Sequence, residues 1–518
     1  MKKKNLIIYS ALSLLVVAEV AGWATFTILA TRPKGGQEIE MWVGSESVDF
    51  YRGLVDEFKK SHSDFGYAVN VVGADTGTAA AAMINDNTAC PEIITIAHDN
   101  IGKLSRMNYI APIVEDYDDH LLDQILADNP ESFKKAIINV LGQEESVSYT
   151  FAVPYISQAL FLYYDTRYVT AEQAKTFEGL REAAAAQGDD VKSYMVTGTD
   201  GYNFSFTLLA RNISAGNISN LRLYEGGNRY DCYNQDNDQV ATLKWMQRSY
   251  EDPNGGMLDF DGQWYIQVQE HKALSAIGGA WHYNFFKNAV GEENVGCAVI
   301  PTFTLTAADV EGINDVVYPE DQGIPQELWG TVDTAPKAGD VYRGGSFVDC
   351  KCFALNMAKL EDKNDKTEEG KVKKYKALCT LLKYLSSKDA QNGSFKEATN
   401  VPAYVGADEF INSLVPDVDA PASVIDMAKA QTGMNIYGIP QPFVTGTLNT
   451  YFYSKSTPDL YKNCIKKISG SGGDSVDGIR RTLWRMQYIW EHGTSPKSED
   501  RYPTSYPAEA FVNRNKDE

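Results

Sequence analysis

Apolar residues take every second position in Glu38-Ile39-Glu40-Met41-Trp42-Val43, the period of a strand with one buried face. That strand stops at Gly44-Ser45-Glu46-Ser47. The period then lengthens: Phe50, Leu54 and Phe58 recur every four residues and predict a helix over 49–60. A strand over 67–72, a helix over 76–86 and a strand over 92–96 follow, the last running into Ala97-His98-Asp99-Asn100. Strands alternating with helices predict a parallel sheet with right-handed crossovers. Ligands of such sheets gather at the carboxyl ends of the strands. That rule sets Trp42, Gly44, Ser45, Glu46, Asp99 and Asn100 on one rim.

Further on, Phe151 to Asp165 is an apolar, aromatic run carrying a single amide, Gln158. Its β-branched and aromatic content reads as a strand, and Pro154 removes one ladder donor, which favours an edge position. It lies between two α/β segments and is expected to carry the chain from one lobe into the next. A strand over 346–357 and an amphipathic helix over 375–385 flank a charged insertion, 359–374. Asn400-Val401-Pro402-Ala403-Tyr404 interrupts the pattern, as a crossover with a proline does. Leu483, Met486 and Ile489 mark a last helix over 475–491, and the tail 491–518 is polar and extended. The Gly/Pro-punctuated stretch 305–341 reads as a surface loop near the cleft or an insertion.

The N-terminus changes the picture. Lys2, Lys3 and Lys4 precede apolar runs at 6–17 and 20–30, so the start is expected in the cytoplasm and the body outside. A helix over 6–30 would span ~37 Å at about 1.5 Å per residue, enough to cross a bilayer. Glu19 interrupts it at a cost of about 3 kcal/mol. Segment 1–37 is therefore an uncleaved membrane anchor or a secretory signal with a polar spacer, and the location is the extracellular face of the plasma membrane. The first cysteine is Cys90, which argues against a lipoprotein-type anchor.

With 518 residues, 43% of them hydrophobic and 23% charged, the chain suits a large folded body. A net charge of -21 argues against nucleic acid as a partner. The seven cysteines are scattered, and Cys350 and Cys352 read as buried small hydrophobes rather than a metal pair. None of the six histidines forms a zinc pair at helical spacing, and no GxSxG elbow, P-loop or dinucleotide fingerprint occurs. Asp236, Asp238, Asp259 and Asp261 hint at calcium loops but read as solvated turns. No catalytic residue, metal or cofactor is expected.

Six motifs in one order carry a family resemblance: Met-Trp-Val-Gly at 41–44, Ala-His-Asp-Asn-Ile-Gly at 97–102, and Tyr-Ile-Ser-Gln-Ala-Leu-Phe-Leu-Tyr-Tyr-Asp at 155–165. Ile-Gly-Gly-Ala-Trp at 277–281, Val-Ile-Pro-Thr-Phe at 299–303 and the stretch 429–441 complete the set. Over residues 38–490 the chain resembles the extracytoplasmic solute-binding proteins of carbohydrate ABC importers, nearest their maltose/maltodextrin-binding members. The resemblance implies an α/β, two-lobed periplasmic-binding-protein-like fold with three interlobe crossovers and a ligand cleft between the lobes. The crossovers would fall near Gln158, Phe347 and Asn400. The N-lobe would hold 38–157 and 348–399, and the C-lobe 158–347 and 400–490.

The resemblance also implies ligand residues. Trp42 matches a cleft aromatic, Ser45 and Glu46 occupy hydroxyl-binding positions, and Asp99 matches a carboxylate, while Asn100 stands for a basic neighbour. Gln158 replaces a carboxylate at the crossover; Asp200, Tyr202 and Phe206 resemble a motif of one acid and two aromatics; Trp281 matches a stacking tryptophan. Against the family, Thr445-Gly446-Thr447 precedes Tyr451 where a further cleft aromatic is expected. The implied protein is a monomeric receptor, not an enzyme, that hands an oligosaccharide to ABC permease subunits. A same-shaped receptor for a peptide or polyol, a glycoside-cleaving enzyme and a surface sensor remain the alternatives.

Overall fold

In the computed structural model, alternation along β1 (Glu38–Val43) buries Ile39, Met41 and Val43, and half-buries Glu38, Glu40 and Trp42. The structure describes residues 37–140, 148–198, 201–215, 218–219, 222–223, 230–231, 236–259, 261–317, 332–362, 364–435, 439–440 and 475–492. The helix Val48–Ser61 buries Tyr51, Val55 and Phe58. Phe50 and Leu54, expected on that face, only half-bury against the same core, because the docked stripe is turned by one residue. β2 (Ala68–Gly73) and β3 (Ile93–Ala97) both run parallel to β1.

The run expected as one strand is two. β4 (Val153–Ala159) stops at Leu160, and β5 (Phe161–Asp165) begins in a different sheet. Residues 151–165 are all buried, so both strands are covered on both faces and no period marks that break. β5 joins β6 (Tyr194–Thr197), β7 (Gly256–Asp259), β8 (Ser275–Gly278) and β9 (Val295–Ala298) in the order β7-β6-β8-β5-β9. β6, β7 and β8 are parallel, and β5 is antiparallel to β8 and β9.

β10 (Phe347–Leu355) returns to the first sheet, antiparallel to β3 on one side and β4 on the other, with β11 (Ile439–Pro440) parallel to its start. The first sheet is therefore mixed, not wholly parallel. Opposite β4 the register slips between Lys351 and Cys352, which pair with Ile156 and Pro154 and leave Tyr155 as the extra residue of a bulge. Pro154 sits on an edge strand there, where its missing N–H is harmless.

Two apolar cores result. One draws on 39–156, 348–385 and Ala403; the other on 159–347, 395–434 and 479–489. The molecule is two α/β lobes joined by three crossovers, and hydrogen bonds tie the crossovers together. Leu160 N donates to Ser346 Oγ at 2.8 Å, and Ser157 N donates to the Val401 carbonyl at 2.8 Å. Gly345 N reaches the Phe206 carbonyl at 2.8 Å, and a Cβ on Gly345 would lie 2.0 Å from the Leu209 carbonyl, so this crossing tolerates no side chain.

The helix expected over 375–385 starts earlier, as Glu368–Leu385, because Thr367 caps it by accepting from Gly370 N at 3.1 Å. The last helix is Val476–His492. Within 305–341 the described part holds a short helix, Ala307–Val310, and the strand pair Val316–Val317 and Val332–Asp333. Among the described residues no helix is long and apolar enough to cross a membrane. The expected anchor or signal, the departure at 445–451 and the tail from 493 lie outside the described residues.

Candidate functional site

The carboxyl ends of β1, β2 and β3 open onto one gap, and the loops after β6 and β8 face them from the other lobe. Two adjoining cavities of about 360 and 430 Å³ fill that gap and share Asp75, Thr76, Gln158, Trp281 and Lys351. The two middle crossing strands form the floor. Alternation along β4 turns Ile156 and Gln158 to the cleft, while the Ser157 hydroxyl turns away to accept from Asn435 Nδ2 at 3.1 Å. Alternation along β10 likewise turns Asp349 and Lys351 to the cleft, while Cys350 and Cys352 enter the first core.

Ser45 and Glu46 form a single exposed turn after β1 and line the first cavity. Asp99 and Asn100 line the second, with Asn100 Nδ2 donating to Asp99 Oδ1 at 2.9 Å. Gln158, 7% exposed, borders both cavities. Trp281, 37% exposed, borders both from the opposite wall, and its ring folds over Gly279, where a Cβ would lie 2.2 Å away. Tyr202 stands 5.9 Å from the Trp281 ring and closes the second cavity with Asn203.

Two of the expected residues are elsewhere. Trp42 lies on the half-buried face of β1 against the first core and borders neither cavity, because it sits within the strand, two residues before the rim begins at Gly44. Phe206 is fully buried in the second core, held under the crossing at Gly344 and Gly345. Asp200 lies outside the described residues. Asp75, Thr76, Asn203, Asp349, Lys351 and Asn400 border the cleft without having been expected there. The strand-end rule that set Ser45 and Asp99 on the rim applies equally to Asp75 and Thr76 after β2.

Charge is concentrated on the floor. His98 is fully buried and its Nδ1 bonds Asp349 Oδ1. Burial works to lower its pKa, but the Asp349 carboxylate overrides this and pushes the imidazole up to about 10. Burial lowers the Lys351 ammonium, offset in part by Glu46, Asp349 and Asp75. Behind Trp281, burial pushes the His282 imidazole down to about 4, so a neutral ring backs the indole at 5.5 Å.

Cys350 and Cys352 are free thiols with Sγ atoms 3.6 Å apart, packed as small apolar groups. The aspartates are not solvated turns throughout: Asp236 and Asp259 are buried, and Asp238 is taken up by the Tyr342 hydroxyl and the Asn212 amide. Among the described residues no group of three or more His, Cys, Asp or Glu is arranged to hold a metal.

Two α/β lobes, three tied crossovers and a polar gap with an indole on one wall define a hinged solute-binding protein. The sequence profile of the bacterial extracellular solute-binding proteins matches residues 53–403, and the chain belongs to that family. No curated protein matches the sequence. Among solved structures, a maltodextrin-binding protein, MalE1 of L. casei, is 17% identical with a TM-score of 0.56, covering 87% of this chain and 99% of its own. The maltose-binding MalE of Listeria monocytogenes, solved with maltose, is 15% identical with a TM-score of 0.57, covering 88% and 99%. A cyclo/maltodextrin-binding protein complexed with maltotetraose is 15% identical with a TM-score of 0.58, covering 89% and 100%. At these identities the likeness is one of fold.

Proposed function

We propose that this chain is the receptor of a carbohydrate ABC importer, held on the extracellular face of the membrane by segment 1–37. It captures an oligosaccharide of the maltodextrin kind between its lobes and delivers it unaltered to the permease subunits. The lobes are taken as 38–157 with 348–399, and 158–347 with 400–490. The observation that carries the reading is the facing of Trp281 and Tyr202 across one gap from Glu46, Asp75 and Asp99. A pyranose has an apolar C–H face and a ring of hydroxyls. Aromatic faces stack on the first, and carboxylates and amides accept or donate to the second. Ser45, Asn100, Gln158 and Asn203 complete the polar set, whereas Trp42 and Phe206 support it through packing. The neighbours whose fold it shares include proteins solved with maltose and with maltotetraose.

Calorimetric titration with maltose, maltotetraose and a panel of other neutral sugars tests this. Micromolar or tighter binding of at least one oligosaccharide is expected, and Trp281→Ala should weaken it by tenfold or more, as loss of a central aromatic contact does. Flat traces across the panel would overturn the reading.

A further inference from the structure

Among the described residues Lys351 is the one cation bordering the two cavities, and it stands in an unusual place. It interrupts a buried strand, between Cys350 and Cys352, and the pleat points it at the cleft while both thiols face the core. Among the described residues no carboxylate lies within ion-pair distance of its ammonium. Glu46, Asp75 and Asp349 act on it only through space, from the turn after β1, the turn after β2 and its own strand. Asp349 is already committed to His98. A partly desolvated ammonium without an acceptor is unfavourable.

We infer that Lys351 is a ligand-binding donor of the cleft floor, and that its setting among the surrounding acids Glu46, Asp75 and Asp99 suits a neutral, polyhydroxylated ligand rather than an anionic one. The inference rests on the reading that the cleft binds carbohydrate. A hydroxyl group accepts from Nζ and at the same time donates to a neighbouring carboxylate, so one sugar hydroxyl bridges Lys351 to Glu46 or Asp75 in a cooperative chain. A carboxylate or phosphate on the ligand would meet the ammonium but cannot donate onward. It would also face Glu46, Asp75 and Asp99 around the same gap, three acids against a single uncommitted cation.

The test uses the full chain and maltotetraose, with a uronate-bearing oligosaccharide of the same length as the charged probe. Lys351→Met keeps the aliphatic stem and removes the charge. It is expected to melt at or above the wild-type temperature yet bind maltotetraose at least tenfold more weakly. The uronate should bind wild type at least tenfold more weakly than the neutral sugar. Equal binding by Lys351→Met, or tighter binding of the uronate by wild type, overturns the inference while leaving a sugar receptor standing. No binding of any neutral sugar by wild type overturns both. If Lys351→Met fails to fold, Lys351→Gln and the uronate comparison decide.

Discussion

His98 and Asp349 join β3 to β10 under the cleft, so their pairing fixes the floor on which a ligand rests. The imidazole sits at 0% exposure, where an unpaired charge would be untenable, and the carboxylate beside it reverses the effect of burial. The sign of the resulting pH dependence follows. The folded protein holds this proton up to about pH 10, whereas the unfolded chain releases it near 6.5. The pair's stabilisation is therefore complete below about pH 6.5 and is lost as pH rises through about 10. His98→Asn leaves Asp349 buried without its cation and should cost about 3–5 kcal/mol at pH 6. Urea denaturation of wild type and variant at pH 6, 8 and 10 measures this, with the gap expected to narrow at each step. A gap that is constant with pH would mean that packing, and not charge, holds the site.

At the level of elements, the second sheet ends on both sides in strands that begin with a glycine or place one early, each beneath a tyrosine of the neighbouring strand. Gly256 of β7 pairs with Tyr194, and Gly296 of β9 pairs with Tyr164. A Cβ on Gly256 would lie 2.2 Å from the Tyr194 ring, and one on Gly296 would lie 2.4 Å from the Tyr164 ring. The ring covers the backbone that glycine leaves bare, so the edge gains packing without a side chain of its own. Gly296→Ala should destabilise by about 1–3 kcal/mol, as overpacking does. Gly53→Ala is the contrasting case: nothing lies within 4 Å on the helix Val48–Ser61, and a gain of about 0.5–1 kcal/mol is expected. Chemical denaturation of the two variants should give opposite signs. These elements also show what was legible beforehand. β1 could be read because one of its faces is half-exposed, which leaves a period of two in the sequence. β4 and β5 ran together because both are buried on both faces, so nothing marks Leu160 as the joint. Ser45, Glu46, Asp99 and Asn100 were placeable from strand ends alone, and they do border the cleft. Trp42 was misplaced because an aromatic in a strand names no face until its partners are known. Lys351 left one signal unread: Asp349 and Lys351 share a parity inside a strand whose other parity is wholly apolar, which marks a polar surface within an otherwise buried sheet.

For the whole molecule, the cleft has polar groups on both walls and aromatic rings on one, above a floor that the described residues make from two crossing strands and the 399–401 segment. Neither wall alone can surround a pyranose: the first lobe brings acids, and the second brings Trp281 and Tyr202. A ligand that touches both must favour the arrangement in which the lobes approach, and it shifts the population only by its differential affinity for that arrangement. The crossings can bend because they are single strands tied to one another by a few hydrogen bonds, Leu160 to Ser346 and Ser157 to Val401. Small-angle scattering of the full chain should therefore give a smaller radius of gyration at saturating maltotetraose than without sugar. The same sugar at one hundred times its dissociation constant should raise unfolding stability by about 2.7 kcal/mol. Trp281→Ala, studied at the concentration that saturates wild type, should show a reduced fraction of both effects, because under the proposed function it removes an aromatic contact of the second lobe while leaving the crossings intact. Binding that registers calorimetrically while the radius of gyration stays fixed would leave the sugar site in place but refute closure, since the two lobes would then already stand at their bound separation.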